Sequence, residues 1–226
     1  MCLKLIIIRP VSITLFIMAF NLSGGQNNIK EIELKIQRSI RQLAKQADKK
    51  ENDSVLIADN LMNLSQTTSQ LFSAIYKDNL DEKNDSLFFL SLESSQKSLE
   101  KLVAIGENNS YINSVIDAIQ SDYLTKIKAS ALGADSTIKT EVRVLVYTRK
   151  GDKEIGGYEV KCNYLWDFKN PNPKFIFNNP TNNAERNLAP GYYFMWIEKD
   201  GKLIQKKDKL EIGNLHSQEE SIIFNL

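Results

Sequence analysis

The chain has 226 residues, enough for one large domain or two small ones. Hydrophobic residues make up 42% and charged residues 25%, the balance of a folded globular protein rather than a disordered one. With 29 Lys and Arg against 28 Asp and Glu, the net charge of +1 excludes a field strong enough to draw the chain onto nucleic acid or anionic lipid.

The first 25 residues stand apart. Lys4 and Arg9 give a basic start, residues 11–22 are nearly all apolar, and Ser23 and Gly25 supply small residues before a cut that would leave Gln26 as the new terminus. This pattern predicts a signal peptide and export to a periplasm or cell surface. The run is shorter than the roughly 20 apolar residues of a membrane span, so the membrane enters only if the segment stays uncleaved. Cleavage would remove Cys2 and leave Cys162 alone, without an intramolecular disulfide partner.

From residue 29 to about 132 apolar residues recur at helical spacing without a proline. Ile29, Ile32, Ile36, Ile40, Leu43 and Ala47 form one stripe, and Ile57, Leu61, Leu64, Thr68, Leu71 and Ile75 a second. Phe88, Leu92, Ser95, Leu99 and Leu102 form the third; Ile112, Val115, Ile119, Tyr123 and Ile127 form the fourth. Asn52 or Asp53, Asn84 or Asp85, and Asn109 or Ser110 stand where N-caps are needed, and Gly106 suits the end of the third helix. The short connections predict an antiparallel bundle of about four helices over residues 26–135.

After Ser136 the period changes to two. Val142, Val144 and Val146 share one strand face; Tyr158, Val160, Cys162, Tyr164 and Trp166 share another, opposite Glu159, Lys161 and Asn163. Runs at 175–177, 192–198, 203–206, 209–212 and 221–226 bring the total to about seven strands. Lys150-Gly151-Asp152 and Asp200-Gly201 signal hairpins, and Pro171, Pro173, Pro180 and Pro190 mark loops. The fold expected is α+β in two domains, with an antiparallel β-sandwich over residues 136–226.

Leu188-Ala189-Pro190-Gly191-Tyr192-Tyr193, an alternating strand, and then Glu198-Lys199-Asp200-Gly201 resemble a signature of exported bacterial β-sandwiches. The segment is similar to carboxypeptidase-regulatory-like and PEGA-type modules, with Leu188, Pro190, Gly191 and Tyr193 at the matching positions. The resemblance covers residues 136–226 and implies a module that packs, spaces or binds and carries no chemistry. Pro190-Gly191 makes a tight entry to the strand. A following Tyr can plug the sandwich edge while its hydroxyl bonds upstream backbone, as in a tyrosine corner.

Residues that carry chemistry are sparse. His216 is the only histidine, and a catalytic pairing with Cys162 would join a loop imidazole to a strand-core thiol. One Cys and one His make a poor zinc set, and no Gly-rich phosphate loop or nucleophile elbow is present. Asp78, Asp81, Glu82 and Asp85 cluster between helices, but their spacing fits no calcium loop and reads as a solvated connection. Lys202, Lys206, Lys207 and Lys209 form a basic edge of the kind that discourages strand pairing. No catalytic residue, metal or cofactor is therefore expected.

The aromatic residues are the strongest binding signal. Tyr192, Phe194 and Trp196 share one face of their strand, with Tyr193, Met195 and Ile197 on the other. One face must be core, and the resemblance nominates Tyr193 for it, leaving Tyr192, Phe194 and Trp196 as a face for a protein or carbohydrate of the cell envelope, unless the helices cover it. The expectation is an exported, non-enzymatic binding or scaffolding protein. The alternatives are a hydrolase of envelope polymers, whose carboxylates would meet only in the fold, and a membrane-anchored sensory ectodomain.

Overall fold

A computed structural model describes residues 11–47, 54–105, 109–131, 139–213 and 219–226. Among them the four helical stripes become four helices: α1 (Val11–Ala47), α2 (Ser54–Asp78), α3 (Ser86–Ile105) and α4 (Asn109–Ala131). Every member of the first three stripes is buried, as are Ile112, Val115, Ile119 and Tyr123 of the fourth. Ile127 is partly buried against the core. The two polar members are satisfied within the helices. Thr68 Oγ1 donates to Leu64 O at 2.7 Å, and Ser95 Oγ bonds Leu92 O at 2.7 Å and the Tyr123 hydroxyl at 2.6 Å. Helix α1 continues through the expected cut at Ser23–Gly25. No helix among the described residues is long and apolar enough to cross a membrane.

Asp85, one of the two expected caps, directly precedes α3, and its C=O accepts the Phe89 N–H at 3.1 Å. Asp81 Oδ1 accepts the backbone N–H groups of Lys83 and Asn84 at 2.9 and 3.0 Å, while Asp85 Oδ2 accepts that of Asp81 at 3.0 Å. This reciprocal arrangement holds the turn that precedes α3. It gives the acidic cluster a structural use, and the hydrogen bonds from Asn84 hold the Asp81 carboxyl below its usual range. The expected caps at Asn52 or Asp53, and the Gly106 stop, lie outside the described residues.

Eight strands follow: β1 (Val142–Lys150), β2 (Lys153–Glu154), β3 (Glu159–Tyr164), β4 (Phe175–Ile176), β5 (Ala184–Leu188), β6 (Gly191–Lys199), β7 (Lys202–Ile212) and β8 (Glu219–Asn225). A 3₁₀ turn, Leu165–Asp167, follows β3. In the first sheet β5 and β2 pair antiparallel along one edge of β1, and β8 pairs along the other. The second sheet has the order β4-β3-β6-β7 and is antiparallel throughout. The α+β class and its order, helices before strands, are as expected.

Several details differ, among them that Trp166, expected on the strand face of Tyr164, lies on the 3₁₀ turn. The runs at 203–206 and 209–212 are one strand, β7, whose register against β6 shifts between Tyr193 and Met195 and between Ile197 and Glu198. Strand β5, Ala-Glu-Arg-Asn-Leu, has no apolar alternation and was hidden by its composition. Strands β1 and β8 run parallel, with Val146 opposite Ile222 and Thr148 opposite Phe224. Asn163, expected on a polar face, is buried: its amide donates to Asn170 O and Asn172 O, both at 3.1 Å, and its Oδ1 accepts Lys174 N. It clamps the loop that follows the 3₁₀ turn.

The two halves share one core. Helix α1 packs on α2 and α3, and α2 packs on α4, while α3 and α4 meet only lightly. The 3₁₀ turn packs against both α3 and α4, bringing the buried Trp166 of the sandwich half to the open side of the bundle. Trp166 stacks on Tyr164 with ring centroids 4.6 Å apart and planes 7° from parallel.

Candidate functional site

Strand β6 buries the face for which the resemblance nominates Tyr193. Tyr193, Met195 and Ile197 are fully buried between the sheets. The Tyr193 hydroxyl donates to Ala189 O at 2.8 Å, fixing the Pro190-Gly191 entry to the strand. Its ring packs among Tyr164 and Phe175, with centroids 5.5 and 6.2 Å away.

The structure divides the other face. Tyr192 lies at the helical junction: its backbone N–H donates to Asp122 Oδ1 of α4 at 3.2 Å. Lys209 Nζ lies 5.0 Å from its ring centroid. Burial, and then the Glu211 carboxylate, raise its hydroxyl pKa. Glu211 in turn accepts the Thr125 hydroxyl of α4 at 3.0 Å.

Phe194 and Trp196 lie further along the strand, their rings 5.2 Å apart and inclined at 30°. Lys206 Nζ stands 5.8 Å from the Phe194 centroid. The Trp196 indole N–H donates to Glu198 Oε1 at 2.7 Å, and Lys161 Nζ donates to Glu198 Oε2 at 2.6 Å. These two bonds, that of Lys161 foremost, hold the Glu198 carboxyl below its usual range. Trp196 is only 7% exposed, so its ring lies under these neighbours while Phe194 is half-buried beside it.

The most constrained chemistry is at the junction itself. Asp122 and Lys126, one turn apart on α4, are completely buried. Lys126 Nζ donates to Asp122 Oδ2 at 2.5 Å and to Pro190 O at 2.6 Å. Burial is the main influence on both: it pushes the Asp122 carboxyl up and the Lys126 ammonium down, and their mutual attraction opposes each shift. Gly191, with φ +154°, lets the helix approach; a Cβ there would lie 1.7 Å from Asp122 Oδ1. The Pro-Gly turn is thus the point at which the helices latch onto the sandwich. An i, i+4 Asp–Lys pair is ordinarily a solvated helix face, so its spacing does not single it out.

The remaining candidates carry no evident chemistry. Cys162 is fully buried, and desolvation drives its thiol pKa far above the ordinary range. A buried high-pKa thiol is unreactive. His216 lies outside the described residues. Among the described residues no group of three His, Cys, Asp or Glu side chains could hold a metal. On the basic strand, Lys206 pairs with Asp208 at 3.0 Å and Lys207 lies 5.5 Å from the Phe224 ring centroid. A small recess of about 200 Å³ beside α4 is lined by Asp117, Phe168 and Lys209 among others. Comparison with family models, curated proteins and solved structures gives no match.

Proposed function

We propose that the chain is an exported, non-enzymatic binding or scaffolding protein of a bacterial cell envelope. Its partner, a protein or a carbohydrate, would contact Phe194 on the outer face of the second sheet, with Trp196 packed beside it as support. The observation that carries this reading is the ring pair on β6, an inner strand, ringed by Lys161, Lys206 and Glu198. A half-buried aromatic ring rimmed by polar groups suits a partner surface, because it offers contact area at small entropic cost, and the buried Trp196 holds Phe194 in place. Tyr192, half-buried like Phe194, borders the face at the junction with α4. Export rests on Lys4, Arg9 and the apolar run at 11–22. Leu188, Pro190, Gly191 and Tyr193 favour a carboxypeptidase-regulatory-like or PEGA-type module, in keeping with a domain that packs, spaces or binds.

The test is crosslinking and recovery from the native envelope, run in parallel on the unaltered protein and on Phe194→Ala. Partners recovered with the unaltered protein and lost with a variant that melts normally support the reading. Identical recovery with both would overturn this assignment of the surface. N-terminal sequencing of mature protein is expected to start at or near Gln26; Met1 on membrane-retained material would overturn export by cleavage.

A further inference from the structure

The outer face of the first sheet holds a cleft that the Phe194–Trp196 reading does not use. Its volume is about 550 Å³, within the range of roughly 300–1,000 Å³ usual for small-ligand sites. Leu145 and Tyr147 of β1 line it, both half-buried, together with Asn179, Asn182 and Asn183 of the turn leading into β5.

That turn is firmly held. Asn182 takes φ +71°, unusual for a residue with a side chain. Its backbone N–H donates to Val146 O at 3.0 Å, and its Oδ1 accepts the Thr148 N–H at 3.0 Å. Asn179 and Asn183 are exposed, and their side-chain amides make no hydrogen bond among the described residues. Each amide offers a carbonyl acceptor and an NH₂ donor.

The charge of the cleft is closed on itself. Arg143 donates to Glu185, which also lines the cleft, and to Glu219 at 3.0 Å. No uncompensated cation is left for an anion, and the lining is too polar for a lipid or an apolar side chain. What remains is a chemistry of paired donors and acceptors beside a phenol ring. Sugar hydroxyls both donate and accept, and the C–H face of a pyranose can cover an aromatic ring. We propose that this cleft binds a neutral oligosaccharide, with Tyr147 as the aromatic platform and Asn179 and Asn183 as hydroxyl partners.

The test is calorimetric titration of the full-length protein with cellotetraose, maltotetraose and chitotetraose at millimolar concentration. At least one should bind, and Tyr147→Ala should weaken that binding about tenfold or more, or 1.4 kcal/mol. Because Tyr147→Ala removes a half-buried ring, Asn183→Ala serves as a second variant. It alters an exposed side chain and should weaken the same saccharide while melting normally. Failure of all three saccharides to bind overturns the proposal, as does binding that survives both substitutions. Binding lost only in Phe194→Ala would move the sugar to the second sheet, overturning this site while leaving the Phe194–Trp196 surface in place.

Discussion

Tyr164 and Tyr193 are both completely buried, yet their hydroxyls have opposite standing. That of Tyr193 donates to Ala189 O, whereas that of Tyr164 finds no partner among the described residues. A buried polar group without a partner keeps its desolvation penalty, and a satisfied one contributes about 1 kcal/mol net. Tyr193→Phe should therefore destabilise by about 1 kcal/mol, while Tyr164→Phe should be neutral or stabilising. Thermal melts of the two variants check the contrast, and a clear loss in Tyr164→Phe would show that its hydroxyl has a partner. Glu198 supplies a pH-dependent counterpart. Its folded pKa lies below the ordinary 4.5, so its contribution is complete above that value and disappears as pH falls through the folded pKa. Since Glu198 accepts the Trp196 indole, tryptophan emission should change in that acid window before unfolding. The change should vanish in Glu198→Gln; persistence there would assign it to another group.

At the scale of elements, α4 and the entry to β6 are fitted to each other. Removing one member of a buried ion pair leaves the other charge stranded, at about 3–5 kcal/mol, whereas removing both charges can be nearly neutral. Lys126→Met should destabilise by about that amount, because it also leaves Pro190 O without its donor. Asp122→Asn combined with Lys126→Met should recover much of the loss, since no buried charge remains and the Asn oxygen can still accept the Tyr192 N–H. A double-mutant cycle from chemical denaturation measures the coupling, and additive losses would mean the pair is not a unit. Gly191→Ala meets the same contact sterically. Overpacking and a strained φ together should cost about 3 kcal/mol or more. The loss should shrink when Asp122 is already Gly, because the colliding carboxylate is gone.

For the whole molecule, the shared core decides how it unfolds. Both tryptophans, Trp166 and Trp196, belong to the sandwich half, while the four helices dominate far-ultraviolet circular dichroism. The 3₁₀ turn that carries Trp166 packs on α3 and α4, and the Lys126–Pro190 bond ties groups 64 residues apart. Melting followed by tryptophan fluorescence and by circular dichroism should therefore give coincident transitions, as for one cooperative unit. Two separated midpoints would show that the halves unfold independently.

Features under the control of local geometry were legible along the chain. A helix turns every 3.6 residues and a strand alternates every two, so the stripes of α1 to α4 and the common face of Tyr193, Met195 and Ile197 could be read without knowing what they face, although alternation alone left open which face of β6 is inward. Even Thr68 and Ser95 were legible as core members, because their hydroxyls are satisfied within their own helices. Tertiary structure alone decided the rest. Asp122 and Lys126 have the spacing of a surface pair and become buried only because Pro190 and Gly191 arrive from another part of the chain. The same encounter separates Tyr192 from Phe194 and Trp196, which no alternation could do. Strand β5 has no periodicity and exists as a strand because β1 offers an unpaired edge, while β8 pairs in parallel through a register its own sequence does not encode. Periodicity belongs to a short segment of chain, but the burial of a charge or the pairing of an edge belongs to the two surfaces that meet.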